Sequence, residues 1–163
     1  DKNMGSVLKH FPGYGDNPDT HDLAAYDNRA YDVFLSNDFL PFLAGIEAGA
    51  DAVMVSHNIV LCIDENHPAS LSPEVHRILR EELNFRGVIM TDDLAMGAVA
   101  AFTGGEDAAV LAVSAGADIL CTSNYKEQIP AVLSAVNEKK ISEARIDASV
   151  LRILLWKLKR KII

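Results

Sequence analysis

The chain has 163 residues, 49% of them hydrophobic and 23% charged, which supplies enough apolar side chain for a core and excludes a disordered segment. Its 15 Lys and Arg stand against 23 Asp and Glu, a net charge of −8, too acidic for a surface that must neutralise phosphate backbones, so no nucleic acid is expected as a partner. The apolar runs are strand-sized and fall short of the roughly 20 residues of a membrane span. Cys62 and Cys121 lie far apart in apolar contexts without ligand-like spacing, and are expected to be buried and reduced.

Val7 to His10 reads as a strand almost at the start of the chain, and Asp1 is not an initiator Met, so the true N-terminus is expected to lie upstream. A helical pattern follows from Arg29 to Ala48 and closes on Ala48-Gly49-Ala50-Asp51, after which Ala52 to Val55 is a short apolar strand. A second helical stretch, Pro73 to Leu83, leads into the strand Gly87 to Asp92. A third, Asp107 to Ala115, closes on Ala115-Gly116-Ala117-Asp118 before the strand Ile119 to Cys121. This repeated Ala-Gly-Ala-Asp marks a helix end with a left-handed cap at Gly, then a strand. Lys126 to Asn137 is the next helix, and Ser142 to Lys161 is a last amphipathic one, capped by Ser142 and basic at its end.

Strands that are continuously apolar belong in a parallel sheet covered by helices, and the spacing fits βα units of about 30 residues, so the class is α/β. The four strand ends carry Lys9-His10, Ser56-His57-Asn58, Thr91-Asp92-Asp93 and Thr122-Ser123-Asn124. Polar residues at every C-terminal end favour a barrel face over an open sheet, which concentrates its site at one crevice. Phe11-Pro12-Gly13-Tyr14-Gly15 is Gly-rich but is not followed closely by a helix, so it reads as a loop and not as a dinucleotide cradle.

Two places gather groups able to do chemistry. In the loop from Lys9 to His21, Asp19 and His21 are two apart, a spacing that lets a carboxylate orient an imidazole and stabilise its protonated form, with Asp16 and Asp22 as rival carboxylates. The bland alternative is a solvated turn of Gly, Pro, Asn and Asp. At the third strand end, alternation points Asp92 and Asp93 in opposite directions, so one of them faces the mouth of a barrel, or both merely start the next helix. His67 and His76 are expected to be solvated. His57 either lines the site or bonds backbone, and Trp156 is expected to anchor the core.

The segments Lys9-His10-Phe11-Pro12-Gly13-Tyr14-Gly15, Asp19-Thr20-His21, His67-Pro68-Ala69-Ser70-Leu71-Ser72-Pro73, and Leu79-Arg80-Glu81-Glu82 leading to Thr91-Asp92-Asp93 resemble glycoside hydrolase family 3. Within it they resemble the bacterial β-N-acetylhexosaminidase subgroup. The resemblance implies the C-terminal half of a TIM (β/α)8 barrel, four βα units plus a C-terminal helix, spanning residues 1–163 with the N-terminal half absent. It implies a retaining hydrolase that removes terminal β-N-acetylglucosamine from cell-wall-derived glycans through a covalent glycosyl-enzyme intermediate. Asp92 would then be the nucleophile, His21 the acid/base with Asp19 as its partner, and Lys9 and His10 would hold sugar hydroxyls, with no metal or other cofactor. The missing half would carry further sugar-binding residues, an Arg and an Asp among them. Two features depart from the family loop: three residues separate Gly15 from Asp19 where four are common, and Tyr14 stands where His is frequent.

Two further readings stand beside this one. Half a barrel leaves open sheet edges at Val7 to Phe11 and at Ile119 to Thr122, so the isolated chain is expected to be inactive, or to pair as a homodimer or associate through those edges. A metal-dependent barrel hydrolase would use His10, His21, His57 and Asp92 as ligands, although no His-x-His pair is present. An imidazole acid/base admits water or phosphate as acceptor. The compartment is not written in this segment; cytoplasm and bacterial cell envelope both fit.

Overall fold

The computed structural model describes residues 3–18, 20, 24–103 and 107–163. Among these the strands are β1 (Val7–Phe11), β2 (Tyr26–Asp27), β3 (Ala52–Val55), β4 (Ile59–Val60), β5 (Val88–Asp93) and β6 (Ile119–Cys121). Helix α1 starts at Tyr31–Val33, widens into a π-helical turn at Phe34–Asp38 and continues as Phe39–Glu47, while α2 runs from Pro73–Arg77 into a similar turn at Ile78–Glu82. The others are α3 (Gly97–Thr103), α4 (Ala108–Ala115), α5 (Tyr125–Asn137) and α6 (Glu143–Lys159). No helix among the described residues is long and apolar enough to cross a membrane.

The four main strands form one parallel sheet in the order β1-β3-β5-β6, which leaves β1 and β6 at its edges. Parallel pairing of successive strands requires crossovers, and the helices between them supply these. Ala52 to Val55 pairs in unbroken register with Val88 to Thr91. Between β5 and β6 the register slips after Met90, where Thr91 Oγ1 accepts the Cys121 amide at 3.1 Å in place of a backbone carbonyl. A smaller parallel pair, β2 with β4, was not legible in the sequence because two-residue strands carry no periodicity.

The caps expected at Ser142, Gly49 and Gly116 are present, and Ser72 and Asp107 cap two further helices. Ser72, Asp107 and Ser142 accept amides of the first turns of α2, α4 and α6, satisfying donors that have no intrahelical partner. Gly49 and Gly116, after α1 and α4, have φ of +87° and +134°, a conformation that costs a residue with a Cβ.

The core forms where β1, β3 and β5 meet α1 and α2. Phe11, Phe34, Phe39 and Phe42 pack with Val53, Val55, Ile78, Leu79, Phe85 and Ile89, each fully buried large side chain contributing about 1.5–3 kcal/mol. The alanine-rich helix α4 lies close to Leu71, Leu94 and Val99 through Ala108, Ala109 and Ala112.

The two Ala-Gly-Ala-Asp repeats serve one purpose at the N-terminal ends of the strands. Asp51 accepts the amide of Ser6 at 2.9 Å and pairs with Lys159 at 3.0 Å and with Arg160. Asp118 accepts the Ile89 amide at 3.0 Å and pairs with Arg80 at 2.5 Å and with Arg152 at 3.0 Å. Both carboxylates thus tie α6 across that end of the sheet.

Several expectations are corrected. His76 is buried, 2% exposed, because α2 turns it against Gly116 of the second repeat. Cys62 is exposed and Cys121 half-buried, both free, because Cys62 follows β4 in a turn and Cys121 ends the edge strand. His67 keeps an exposed side chain, as expected, and pairs with Asp64 at 3.0 Å. Trp156 is half-buried and lies over Gly5, where a Cβ would meet its ring.

Candidate active site

The C-terminal ends of β1, β3, β5 and β6 share one side of the sheet, and there the polar residues singled out by the sequence are found. His10 on β1 and Asp92 on β5 meet across β3, with His10 Nε2 3.6 Å from Asp92 Oδ2 and both side chains about one-quarter exposed. Asp92 Oδ1 accepts the amide of Asp93 at 2.9 Å, which orients the carboxylate and leaves Oδ2 toward His10. Lys9, one residue before His10, is exposed.

Asp93 serves a different end. Its Oδ1 accepts the amides of Ala95 at 2.9 Å and Ser123 at 3.1 Å, and these backbone bonds, the Ala95 amide foremost, hold its carboxyl below the usual carboxylate range. It closes the turn after β5 and ties the ends of β5 and β6 together. Alternation along β5 thus separates a carboxylate facing the mouth from one consumed by backbone.

His57 resolves to the backbone-bonding alternative. Its Nδ1 lies 2.7 Å from Ser70 Oγ and its Nε2 3.0 Å from the Asp93 carbonyl oxygen. That carbonyl only accepts, so Nε2 carries the proton and Nδ1 accepts from the serine hydroxyl. Burial lowers its pKa despite the Asp93 carbonyl and the charges of Asp92 and Asp93. With both ring nitrogens engaged, it offers no lone pair to a metal. It braces the β5 turn from below.

The loop after β1 is held from two sides. Ser56 at the end of β3 donates its hydroxyl to the Phe11 carbonyl at 2.9 Å, and its amide reaches the same oxygen at 2.9 Å. Asn58 Nδ2 donates to Gly13 O at 3.4 Å. On the other side Arg29 forms a hub that sequence reasoning missed. Its Nη2 pairs with Asp27 at 2.7 Å and its Nη1 with Asp38 at 3.0 Å. The guanidinium lies 4.5 Å from the Phe34 ring centroid, and its Nη2 reaches Gly13 O at 3.5 Å. The one sequence signal was Asp27-Asn28-Arg29, a short polar run in front of an apolar helix.

Tyr14 and His10 pack at right angles with ring centroids 5.7 Å apart, and the Tyr14 hydroxyl lies 2.6 Å from Oγ1 of the buried Thr20. It therefore links the loop to the imidazole beside Asp92. Asp19 and His21, the expected acid/base pair, lie outside the described residues, as does Asp22.

The profile described as "Glycosyl hydrolase family 3 N terminal domain" matches residues 1–155. The chain belongs to glycosyl hydrolase family 3. Curated members similar to it include a beta-hexosaminidase of Stenotrophomonas maltophilia, 42% identical over 146 residues, and one of Xanthomonas campestris, 38% identical over 144; each match covers 88% of this chain. The chain spans 43% of the length of those family 3 relatives. Among solved structures, a family 3 beta-N-acetylglucosaminidase from a Paenibacillus superposes with a TM-score of 0.91 at 40% identity, covering 98% of this chain and 32% of that one.

Proposed function

We propose that this chain carries the nucleophile half of the active site of a retaining β-N-acetylglucosaminidase, and that it forms the C-terminal four units of an eight-stranded (β/α)8 barrel. The carrying observation is Asp92, at the C-terminal end of β5, with Oδ2 beside His10 and Oδ1 fixed by backbone. An oriented, partly exposed carboxylate at a strand's C-terminal end suits attack on an anomeric carbon. The parallel order with β1 and β6 as open edges and the 43% span of the relatives support the half-barrel reading.

In the first step an Asp92 oxygen bonds to the anomeric carbon as the glycosidic C–O bond breaks, and His21, oriented by Asp19, gives its proton to the leaving oxygen. In the second step the same imidazole takes a proton from water, whose oxygen displaces Asp92 and releases N-acetylglucosamine. His10 and Lys9 donate to sugar hydroxyls, with Tyr14 positioning the His10 ring. Fragments of bacterial cell-wall glycan, which end in this sugar, are the proposed substrates.

The test is release of 4-nitrophenol from 4-nitrophenyl N-acetyl-β-glucosaminide by the full-length protein and its Asp92→Ala variant. Loss of at least 10³-fold in kcat on substitution, with a sugar adduct on Asp92 trapped by mass spectrometry in the native protein, is the expected result. Undiminished turnover without Asp92 would refute the assignment. The isolated chain, whose site lacks the other half of the barrel, is expected to fold without turnover.

A further inference from the structure

Asp92 stands where the regular sheet gives out. The ladder between β3 and β5 ends with Val55 opposite Thr91, and on the other side the register with β6 slips between Met90 and Asp93. A strand end past its ladder ordinarily frays, so a carboxylate carried there depends on what holds the following turn. Asp92 Oδ1 accepts the Asp93 amide at 2.9 Å. Asp93 in turn accepts the Ala95 and Ser123 amides on Oδ1, and the Met96 amide on its carbonyl oxygen at 3.0 Å. Those bonds run along the turn and toward the β6 side.

The tie to the β3 side is a side chain. His57 lies two residues past the last paired residue of β3, as Asp93 lies two past that of β5. Its Nε2, 3.0 Å from the Asp93 carbonyl oxygen, carries across the gap a contact between the two strands beyond the end of their ladder. A carbonyl oxygen has two lone pairs, so the Met96 amide and the imidazole share it without competing.

The ring itself is held. His57 and Ser70 are both fully buried, and the Ser70 hydroxyl donates to Nδ1 at 2.7 Å, which selects the tautomer with its proton on Nε2. The Ser70 amide donates to the Ser56 carbonyl at 2.9 Å, and Ser56 holds the Phe11 carbonyl at the end of β1. One connected set of bonds therefore runs from the end of β1 through Ser56, Ser70 and His57 to the residue after Asp92. In a close-packed interior a ring bonded at both nitrogens keeps one orientation.

We propose that His57 is a positioning residue for the nucleophile: through the Asp93 carbonyl its Nε2–H holds the β5 turn so that Asp92 Oδ2 keeps its place beside His10. The inference rests on the reading of Asp92 as nucleophile and gives His57 no contact with the sugar. Its consequence is confined to rate. A displaced carboxylate attacks the anomeric carbon poorly, while Lys9 and His10 on β1 still hold the sugar; a shift of about 1 Å at a reacting atom can cost about 10²-fold.

Two substitutions separate the Asp93 contact from the burial of the ring. The side-chain amide nitrogen of Gln reaches the position of Nε2 and that of Asn the position of Nδ1, so His57→Gln keeps the donor to Asp93 and His57→Asn loses it. In the full-length protein acting on 4-nitrophenyl N-acetyl-β-glucosaminide, His57→Asn is expected to lower kcat and kcat/KM together, by about 10²-fold. The inhibition constant of N-acetylglucosamine should stay within about twofold of native, and His57→Gln should recover at least about tenfold of the lost rate. Equal losses in the two variants, or a loss that falls on the inhibition constant instead, would make His57 merely structural and overturn the proposal. The imidazole ¹⁵N resonances of His57 in the native protein need no variant: a protonated Nε2 and a bare Nδ1 are expected, and the opposite tautomer would overturn the proposal even if both variants failed to fold. Asp92→Ala, run alongside, separates the two claims. Turnover that survives it removes the nucleophile reading and this proposal with it, whereas loss in Asp92→Ala with native turnover in His57→Asn removes the positioning role alone.

Discussion

Replacing Arg29 by Met removes the charge that joins Asp27 and Asp38 while keeping most of the aliphatic stem over Phe34. The side chains of Asp27 and Asp38 are 1% and 6% exposed, and Arg29 supplies Nε and Nη2 to the first and Nη1 to the second. Deleting one partner of a buried ion pair costs about 3–5 kcal/mol, because the other charge stays buried. With a urea m-value of about 2 kcal/mol/M, the midpoint of unfolding should fall by roughly 1.5–2.5 M at pH 7. The pH dependence adds a second check. Burial alone would raise the Asp27 pKa, but hydrogen bonds and charge from Arg29 outweigh it and hold the carboxyl below its ordinary value. A depressed carboxyl stabilises the fold above the unfolded pKa and loses that contribution as pH falls through the folded one. In Arg29→Met burial outweighs the remaining hydrogen bond from Asn17, so the carboxyl rises and the gap in stability between the variant and the native chain should narrow between pH 7 and pH 5. Urea titrations at the two pH values measure both effects. A midpoint change under about 0.3 M, or a deficit equal at both pH values, would refute the assignment of Arg29 as the hub of the loop.

Gly13 has φ of +121°, and a Cβ there would collide with the Asp38 carboxylate; Gly13→Ala should therefore lose about 1–3 kcal/mol in thermal or urea unfolding and reduce turnover of the full-length protein by displacing the loop that carries Tyr14, whose ring packs on His10. Burial works against ionisation of Asp51, but the Ser6 amide, Lys159 and Arg160 prevail and lower it to about 2. Its contribution, roughly 2 kcal/mol, is present above pH 4 and lost as pH falls toward 2. Asp51→Asn should remove this much at pH 7 and flatten the acid limb of the stability curve, as read by circular dichroism.

The strands, the helices of the repeating units and their caps were legible because each rests on local chemistry: a run of branched apolar residues, a Ser or Asp before a helix, a Gly where φ must be positive. The polar strand ends pointed to one side of the sheet, and Asp92 and His10 meet there. What escaped depends on contacts distant in sequence. His76 looked like a surface residue because its helix carries charges on both sides, and only the approach of Gly116 shows that its ring is covered. Arg29 gave little sign of its role, since its two carboxylates and Gly13 come from separate segments. Asp92 and Asp93 could not be distinguished by residue type; the Ala95 and Ser123 amides that occupy Asp93 belong to a turn and to the loop after the neighbouring strand β6. The cysteines were misplaced because apolar neighbours in sequence do not bury a residue in a turn, as at Cys62, or on an edge strand, as at Cys121.

The last helix has a mechanical consequence. Because α6 is clamped to Asp118, which leads into one edge strand, and to Asp51, which also holds Ser6 ahead of the other, neither edge can peel away without breaking a buried ion pair. Edge strands ordinarily fray first and exchange their amide hydrogens fastest. Here the two ends of the sheet are coupled through a single rod, so β1 and β6 should open together, in one concerted event with the departure of α6.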